Sequence, residues 1–224
     1  MMNISKDLRP SFGPIRDQGE RPTCLPFATS DAHAAVREGR EVLSPEYLFL
    51  HAQQRSLKNP DDGCSVAEIL DILRENGQPE EHLCPYSLNS PVPTHPPTIP
   101  DASLFRRLGE AHQSGFPDIL EGLDQNKPVI LLLKLSTKFF SISGKVPLDF
   151  EPSSPPDPAI RHAVVAVAHG CVDDRDGILI RNSWGPTWAD HGHAWLSEDF
   201  VQQAMLGYII LGRNPDGNGH SLAV

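Results

Sequence analysis

The sequence predicts an α+β chain built from two unlike lobes, helical first and β-rich second. Three observations carry this. Helix starts and 3.6-residue spacing crowd the first half, short apolar and β-branched runs fill the second, and proline and glycine separate them throughout.

The first helix follows Cys24, with Ala28, Ala32, Ala35 and Val36 at helical spacing and Gly39 as its stop. Pro26 falls in the first turn, where its missing N–H removes no intrahelical bond, so Cys24 stands at the helix N-terminus. Ser44-Pro45-Glu46 opens the second helix with a capping hydroxyl, a proline and a first-turn acid. The third runs from about Ser65 to Asn76, with Val66, Ile69, Leu70 and Leu73 on one face and Gly77 after it. Then the period changes. Val129–Leu135, Ala163–Ala168, Ile178–Ile180, His193–Leu196 and Tyr208–Leu211 read as strands, with short helices at Asp118–Asn126 and Glu198–Ala204. Prolines gather between Pro85 and Pro100 and between Pro152 and Pro158, which predicts stiff irregular loops there.

Composition narrows the function. A net charge of −10 disfavours phosphate backbones, so nucleic acid is not the expected partner. No stretch approaches the roughly 20 apolar residues that span a bilayer, and the N-terminus lacks the apolar core of a secretory signal, so neither membrane nor export is expected. Four cysteines, none in a C-x-x-C pair, fit reduced thiols in a cytoplasm better than a disulfide scaffold. Asp190-His191-Gly192-His193 reads as a turn, because no third ligand has suitable spacing; no metal and no cofactor are expected. Asp173–Gly177 reads as a hairpin loop.

Three pieces carry chemistry. A helix N-terminus stabilises a thiolate at Cys24 through its free N–H groups, and the Gln18 amide, six residues upstream, supplies a second donor for an oxyanion. His162 opens an apolar strand whose alternation puts it on one face with Val164 and Ala166, and His169 on the other. Asn182 ends another strand, where its oxygen would orient an imidazole, and Trp184 would screen that bond from water. Taken singly, these residues read equally well as a buried thiol, a structural histidine and a turn amide. Together they describe nucleophile, base and orienter.

At these residues the chain resembles the papain-like cysteine peptidases. The matching pieces are Gln18-Gly19 with Cys24, His162-Ala-Val, and Asn182-Ser-Trp-Gly with Trp188 and Gly192 beyond. His162 follows Cys24 by 138 residues, within the family's roughly 130–150. Weaker echoes at Leu43-Ser44, Gly63-Cys64 and Pro85-Tyr86 extend the resemblance from Phe12 to Leu211. It implies one papain-like domain over 1–224, with a helical lobe at about 12–112 facing a β-barrel-like lobe at about 113–215 across a cleft. It also implies a Cys24–His162–Asn182 triad, with Gln18 and the Cys24 N–H holding the oxyanion, and substrate contacts at Ser65, Val66, Ala67, Arg161 and Trp184.

The departures are specific. Arg21-Pro22-Thr23-Cys24-Leu25 replaces the usual C-G-[SA]-C-[WY], so the family's disulfide to the Cys64 region lacks its first cysteine. Ser65-Val66-Ala67 replaces a glycine-bearing stretch and reshapes the cleft. Only 23 residues precede Cys24, too few for an inhibitory pro-segment, so a narrow cleft, a regulatory protein partner or a larger assembly is expected in its place. The expected activity is hydrolysis of a peptide or protein substrate. The same triad suits glutamine deamidation, isopeptide cleavage or acyl transfer, and a non-catalytic peptide-binding module is the alternative outside catalysis.

Overall fold

The computed structural model describes residues 2–37, 41–56, 60–88, 94–113, 115–172 and 175–215. The three expected helices of the first half are α1 (Cys24–Ala35), α2 (Pro45–Ser56) and α3 (Val66–Glu75). Their starts follow from local chemistry. The Ser44 hydroxyl accepts the Tyr47 N–H at 3.0 Å and donates to the Cys84 carbonyl, which ties the α2 cap to the following loop. Ser65 and Glu68 form a reciprocal capping box on α3, and Gly77, at φ 74°, returns its N–H to the Ile72 carbonyl. Ile69, Ile72 and Leu73 of α3 are fully buried, each contributing about 1.5–3 kcal/mol, far more than any cap. Gly39, expected to stop α1, lies outside the described residues; the helix ends at Ala35 with Val36 as C-cap.

The second half holds α4 (Phe116–Asp124), β3 (Val129–Leu135), β4 (Asp157–Val172), β5 (Arg175–Arg181), β6 (His193–Ser197), α5 (Glu198–Ala204) and β7 (Met205–Leu211). Two further strands, β1 (Met2–Asp7) and β2 (Gly109–His112), complete an antiparallel sheet in the order β2-β7-β3-β4-β5-β6, with β1 pairing β4. β2 lies within the span expected for the helical lobe, yet it pairs β7. The long β4 changes partners along its length, pairing β3 from Asp157 to Ala166 and β1 from Ala168 to Val172. Among the described residues, no helix is long and apolar enough to cross a membrane.

The sheet separates two apolar clusters. Val164 and Ala166 pack with α4 and α5, whereas Ala163, Val165 and Val167 pack with α1, α2 and α3. Alternation breaks at a register shift between Ala166 and Ala168, so Val167 and Ala168 both join the helical side. His169 is thereby turned to the α4 side, where its Nε2 lies 2.8 Å from Asp124 Oδ1, and the expected separation of His162 and His169 onto opposite faces does not occur.

One buried ionic cluster ties the lobes. Asp31 of α1 accepts from Arg16 Nε at 3.1 Å and Nη2 at 2.5 Å, and from Arg181 Nε at 2.6 Å. Arg181, the last residue of β5, also donates to the Gly13 and Pro14 carbonyls. Burial acts to raise the Asp31 carboxyl, but the two guanidinium groups outweigh it and hold it below the usual carboxylate range. Nearby, His33 meets Gln78 Oε1 at 3.1 Å, and the Gln78 NH₂ donates to Ser30 and Ser44, so that oxygen is an acceptor and His33 keeps its proton on Nδ1. Burial, opposed by that bond, lowers the His33 pKa to about 3.

Removing one partner of a buried ionic cluster leaves charge unpaired, so Asp31→Asn is expected to lower stability by about 3–5 kcal/mol in urea unfolding. A loss near zero would mean the cluster is solvated. His33 contributes in the sense of a depressed base. Its stability is present above its unfolded value of 6.5 and is lost as pH falls toward about 3. His33→Gln is therefore expected to flatten the fall in urea midpoint between about pH 7 and about pH 4, and an unchanged slope would contradict this.

Candidate active site

Cys24 opens α1, and the helix start is left uncapped. Its N-cap, Thr23, makes no side-chain cap; the hydroxyl instead lies 2.8 Å from the Tyr86 hydroxyl and 3.4 Å from the Arg21 carbonyl. The other serine starts, at Ser44, Ser65 and Ser197, all accept an N–H of their own first turn. α1 therefore keeps its first N–H groups for something else, and Pro26 contributes none. The thiol is partly exposed. Burial pushes it up, and the N–H groups of Ala163, Leu25 and Cys24 itself act against that. The Ala163 contact matters most, because it brings the sulfur to β4 at the residue after His162.

His162 is buried, and its Nε2 lies 2.7 Å from Asn182 Oδ1. That oxygen also accepts the Ser183 N–H at 2.8 Å, which fixes the amide orientation: Oδ1 faces the ring and Nε2 carries the proton. Burial, only partly offset by the Asn182 bond, lowers the His162 pKa to about 4. The neutral ring therefore has Nδ1 bare, as an acceptor. Asn182 Nδ2 is buried without a partner among the described residues, so this amide is held by its oxygen alone. Trp184 packs over the imidazole with ring centroids 4.6 Å apart, and Phe140 stacks on Trp184 at 5.4 Å.

Gln18 is fixed at both ends. Its N–H donates to the Ser183 carbonyl at 2.8 Å, and the Gly185 N–H returns to the Arg16 carbonyl at 3.1 Å, so this segment runs against Ser183–Gly185 as a short antiparallel ladder. Gly185 has φ 79°, and a Cβ there would stand 2.9 Å from Asp17 Oδ2. The Gln18 side chain accepts from the Ser183 hydroxyl at 2.6 Å and donates one Nε2 hydrogen to the Arg21 carbonyl at 2.8 Å, leaving its second for a ligand. Cys24, His162, Asn182 and Gln18 thus meet through Ala163 and Ser183.

The expected substrate contacts are placed unevenly. Ser65 spends its hydroxyl and N–H on the capping box, Val66 is half-buried and Ala67 is exposed. Gly63 packs on Pro22, which brings this stretch beside the segment leading into Cys24. Arg161 is exposed beside His162, and its Nε donates to the Pro158 carbonyl at 3.3 Å. Cys24, Cys84 and Cys171 are free thiols. The Asp190-His191-Gly192 turn has φ 53° at His191 and 78° at Gly192, and His193 Nδ1 lies 2.9 Å from the His191 carbonyl. Among the described residues, no three His, Cys, Asp or Glu gather as a metal cluster.

The sequence matches the model of the papain family cysteine proteases over residues 3–207. The chain belongs to the papain family. Among its relatives, cysteine proteinase 3 of Entamoeba histolytica is 27% identical over 209 residues, covering 91% of this chain and 65% of the relative. Cysteine proteinase 3 of Dictyostelium discoideum is 23% identical, covering 97% of this chain and 60% of that protein, so the chain spans less than two thirds of either length. The papain-like fold recurs in digestive procathepsin L 3 of Tenebrio molitor larval midgut, with TM-score 0.79, 17% identity, and 95% of this chain and 71% of that one covered. Xylellain, a cysteine protease from Xylella fastidiosa, gives TM-score 0.74 at 17% identity, covering 94% of this chain and 86% of the other. The fold is thus the papain-like α+β architecture expected from sequence.

Sequence reading missed the residues that support this site at long range. Glu46 read as a first-turn acid, but it is fully buried against Arg21 at 2.6 Å. Asp31 carried one available signal, a charge among the alanines of α1, and Glu46 carried none beyond its place at a helix start.

The His162–Asn182 geometry makes a direct prediction. Asn182→Asp places a carboxylate against Nε2, favours the imidazolium, and is expected to raise the His162 titration well above its present pKa of about 4. Ring-proton NMR reads this, and an unmoved titration would mean the two groups are not in contact in solution.

Proposed function

We propose that this papain-family chain hydrolyses peptide bonds through Cys24. The observation that carries the reading is the His162–Asn182 bond, which leaves Nδ1 bare on a ring whose next residue, Ala163, has its N–H near enough to the Cys24 sulfur to act on it. Burial makes each charge costly alone, so thiolate and imidazolium are favoured only as a pair, and the two titrate together. Nδ1 takes the thiol proton as the sulfur bonds to the scissile carbonyl carbon. The carbonyl electron pair moves onto oxygen, where the Cys24 N–H and the free Gln18 Nε2–H receive it. When the oxyanion collapses, the C–N bond breaks and Nδ1–H protonates the leaving amine. Water, deprotonated by Nδ1, then attacks the thioester, releasing the acid and restoring the thiol.

Substrates are peptides or proteins in extended form, passing Ala67 on one side and the Trp184–Phe140 stack on the other. The free thiols of Cys24, Cys84 and Cys171 support a reducing, cytoplasmic setting for this chemistry.

An epoxysuccinyl inhibitor tests the reading through intact mass. The unsubstituted protein is expected to gain one adduct and the Cys24→Ala variant none. A protein that stays unlabelled, or labels equally in both, would overturn the assignment. His162→Ala is expected to lower peptide turnover by about 10²–10⁴-fold, the usual worth of a positioned general base.

A further inference from the structure

Resting on the peptidase reading above, we propose that Arg21 is a positioning residue for the oxyanion donor: it holds the carbonyl on which the Gln18 amide is anchored. Between Gln18 and Cys24 the chain forms turns and bends and makes no helix or strand, with Gly19 at φ 61°. Nothing in that backbone alone fixes where Gln18 points. Ser183 fixes its N–H and Oε1, and Arg21 fixes the Nε2 end. The Arg21 carbonyl accepts Gln18 Nε2–H at 2.8 Å and the Thr23 N–H at 2.8 Å.

Its side chain is clamped from three directions. Nη1 and Nη2 make a bidentate pair with Glu46 at 2.6 and 3.0 Å, and Nη1 also donates to the Ser87 carbonyl at 2.7 Å. The guanidinium lies between the rings of Tyr86, 4.7 Å from its centroid, and Phe49, at 5.0 Å. Glu46 has no exposed surface, so its charge is met by Arg21, with the Ser87 N–H adding a bond at 3.3 Å. The same assembly reaches Gln18 a second time, because the Tyr86 hydroxyl donates to the Gln18 carbonyl at 2.7 Å. The Gln18 carbonyl and Nε2 therefore lean on one guanidinium bound to α2, while Ser183 holds the N–H and Oε1. An error of about 1 Å in such a donor is enough to cost about 10²-fold in rate.

Arg21 touches no reacting atom, so the test must separate positioning from general damage. Arg21→Lys keeps the charge but loses the fork and the ring stacking. A second variant, Arg21→Met with Glu46→Leu, replaces the buried pair by apolar groups of similar volume, which preserves folding where the lysine does not. Two rates are read in each: kcat and KM on a peptide substrate, and alkylation of Cys24 by iodoacetamide, which needs the thiolate but builds no oxyanion. The expected result is a fall of about 10–100-fold in kcat, with KM and alkylation changed by less than about twofold. On a Gln18→Ala background the same substitutions are expected to add less than about twofold, because the group they act through is gone. An unchanged kcat, a parallel fall in alkylation, or full additivity with Gln18→Ala would each overturn the assignment. An unsubstituted protein that neither turns over peptide nor alkylates would overturn the peptidase reading, and the role of Arg21 with it.

Discussion

The 2.7 Å bond from His162 Nε2–H to Asn182 Oδ1 is the interaction on which the rest of the site depends. It does more than hold a ring. A neutral imidazole has one donor and one acceptor nitrogen, and the partner of one decides the role of the other. Because the Ser183 N–H pins the amide oxygen, the proton is committed to Nε2 and Nδ1 is left basic. Trp184 then lies over the ring and keeps water from competing for the bond. His162 sits on β4 and Asn182 directly follows β5 of the same sheet, so neither depends on a long loop for its place.

The thiol comes from the other side, on a helix packed against that sheet, and its environment is a compromise. Burial favours the neutral thiol and the neutral imidazole separately. Acting against burial at the sulfur are local groups: an uncapped helix start and the N–H groups of Ala163, Leu25 and Cys24 itself. At α2, α3 and α5 serines cap the helix starts and spend those N–H groups on stability, whereas α4, behind Gly115, has no side-chain cap. At α1 the Thr23 hydroxyl is turned to Tyr86 and Arg21, which leaves the helix end available for an anion.

Much of this was legible along the chain, and the boundary of legibility has a physical cause. Ser44-Pro45-Glu46 and Ser65 with Gly77 announce helix ends because capping is a contact within a few residues. Apolar runs such as Val129–Leu135 announce strands because both faces of that sheet are covered. β1 and β2 went unread, since one is polar, the other has four residues, and each exists only because a distant strand edge needs a partner. His169 was placed on the wrong side because a register shift is decided by the neighbouring strand rather than by β4 itself. The nucleophile, base and orienter stood out by type and spacing. Asp31 with Arg181, 150 residues apart, and Arg21 with Glu46, 25 apart, did not, because ion pairing across a fold leaves no period in sequence.

The central claim is that His162 acts on the sulfur of Cys24. Its most direct test is the iodoacetamide alkylation rate of Cys24 at neutral pH, resolved from the other three thiols by peptide mass mapping, in the unsubstituted protein and in His162→Ala. The account predicts a rate at least about tenfold lower without the imidazole, since burial alone leaves the thiol protonated. Equal rates in the two proteins would contradict it.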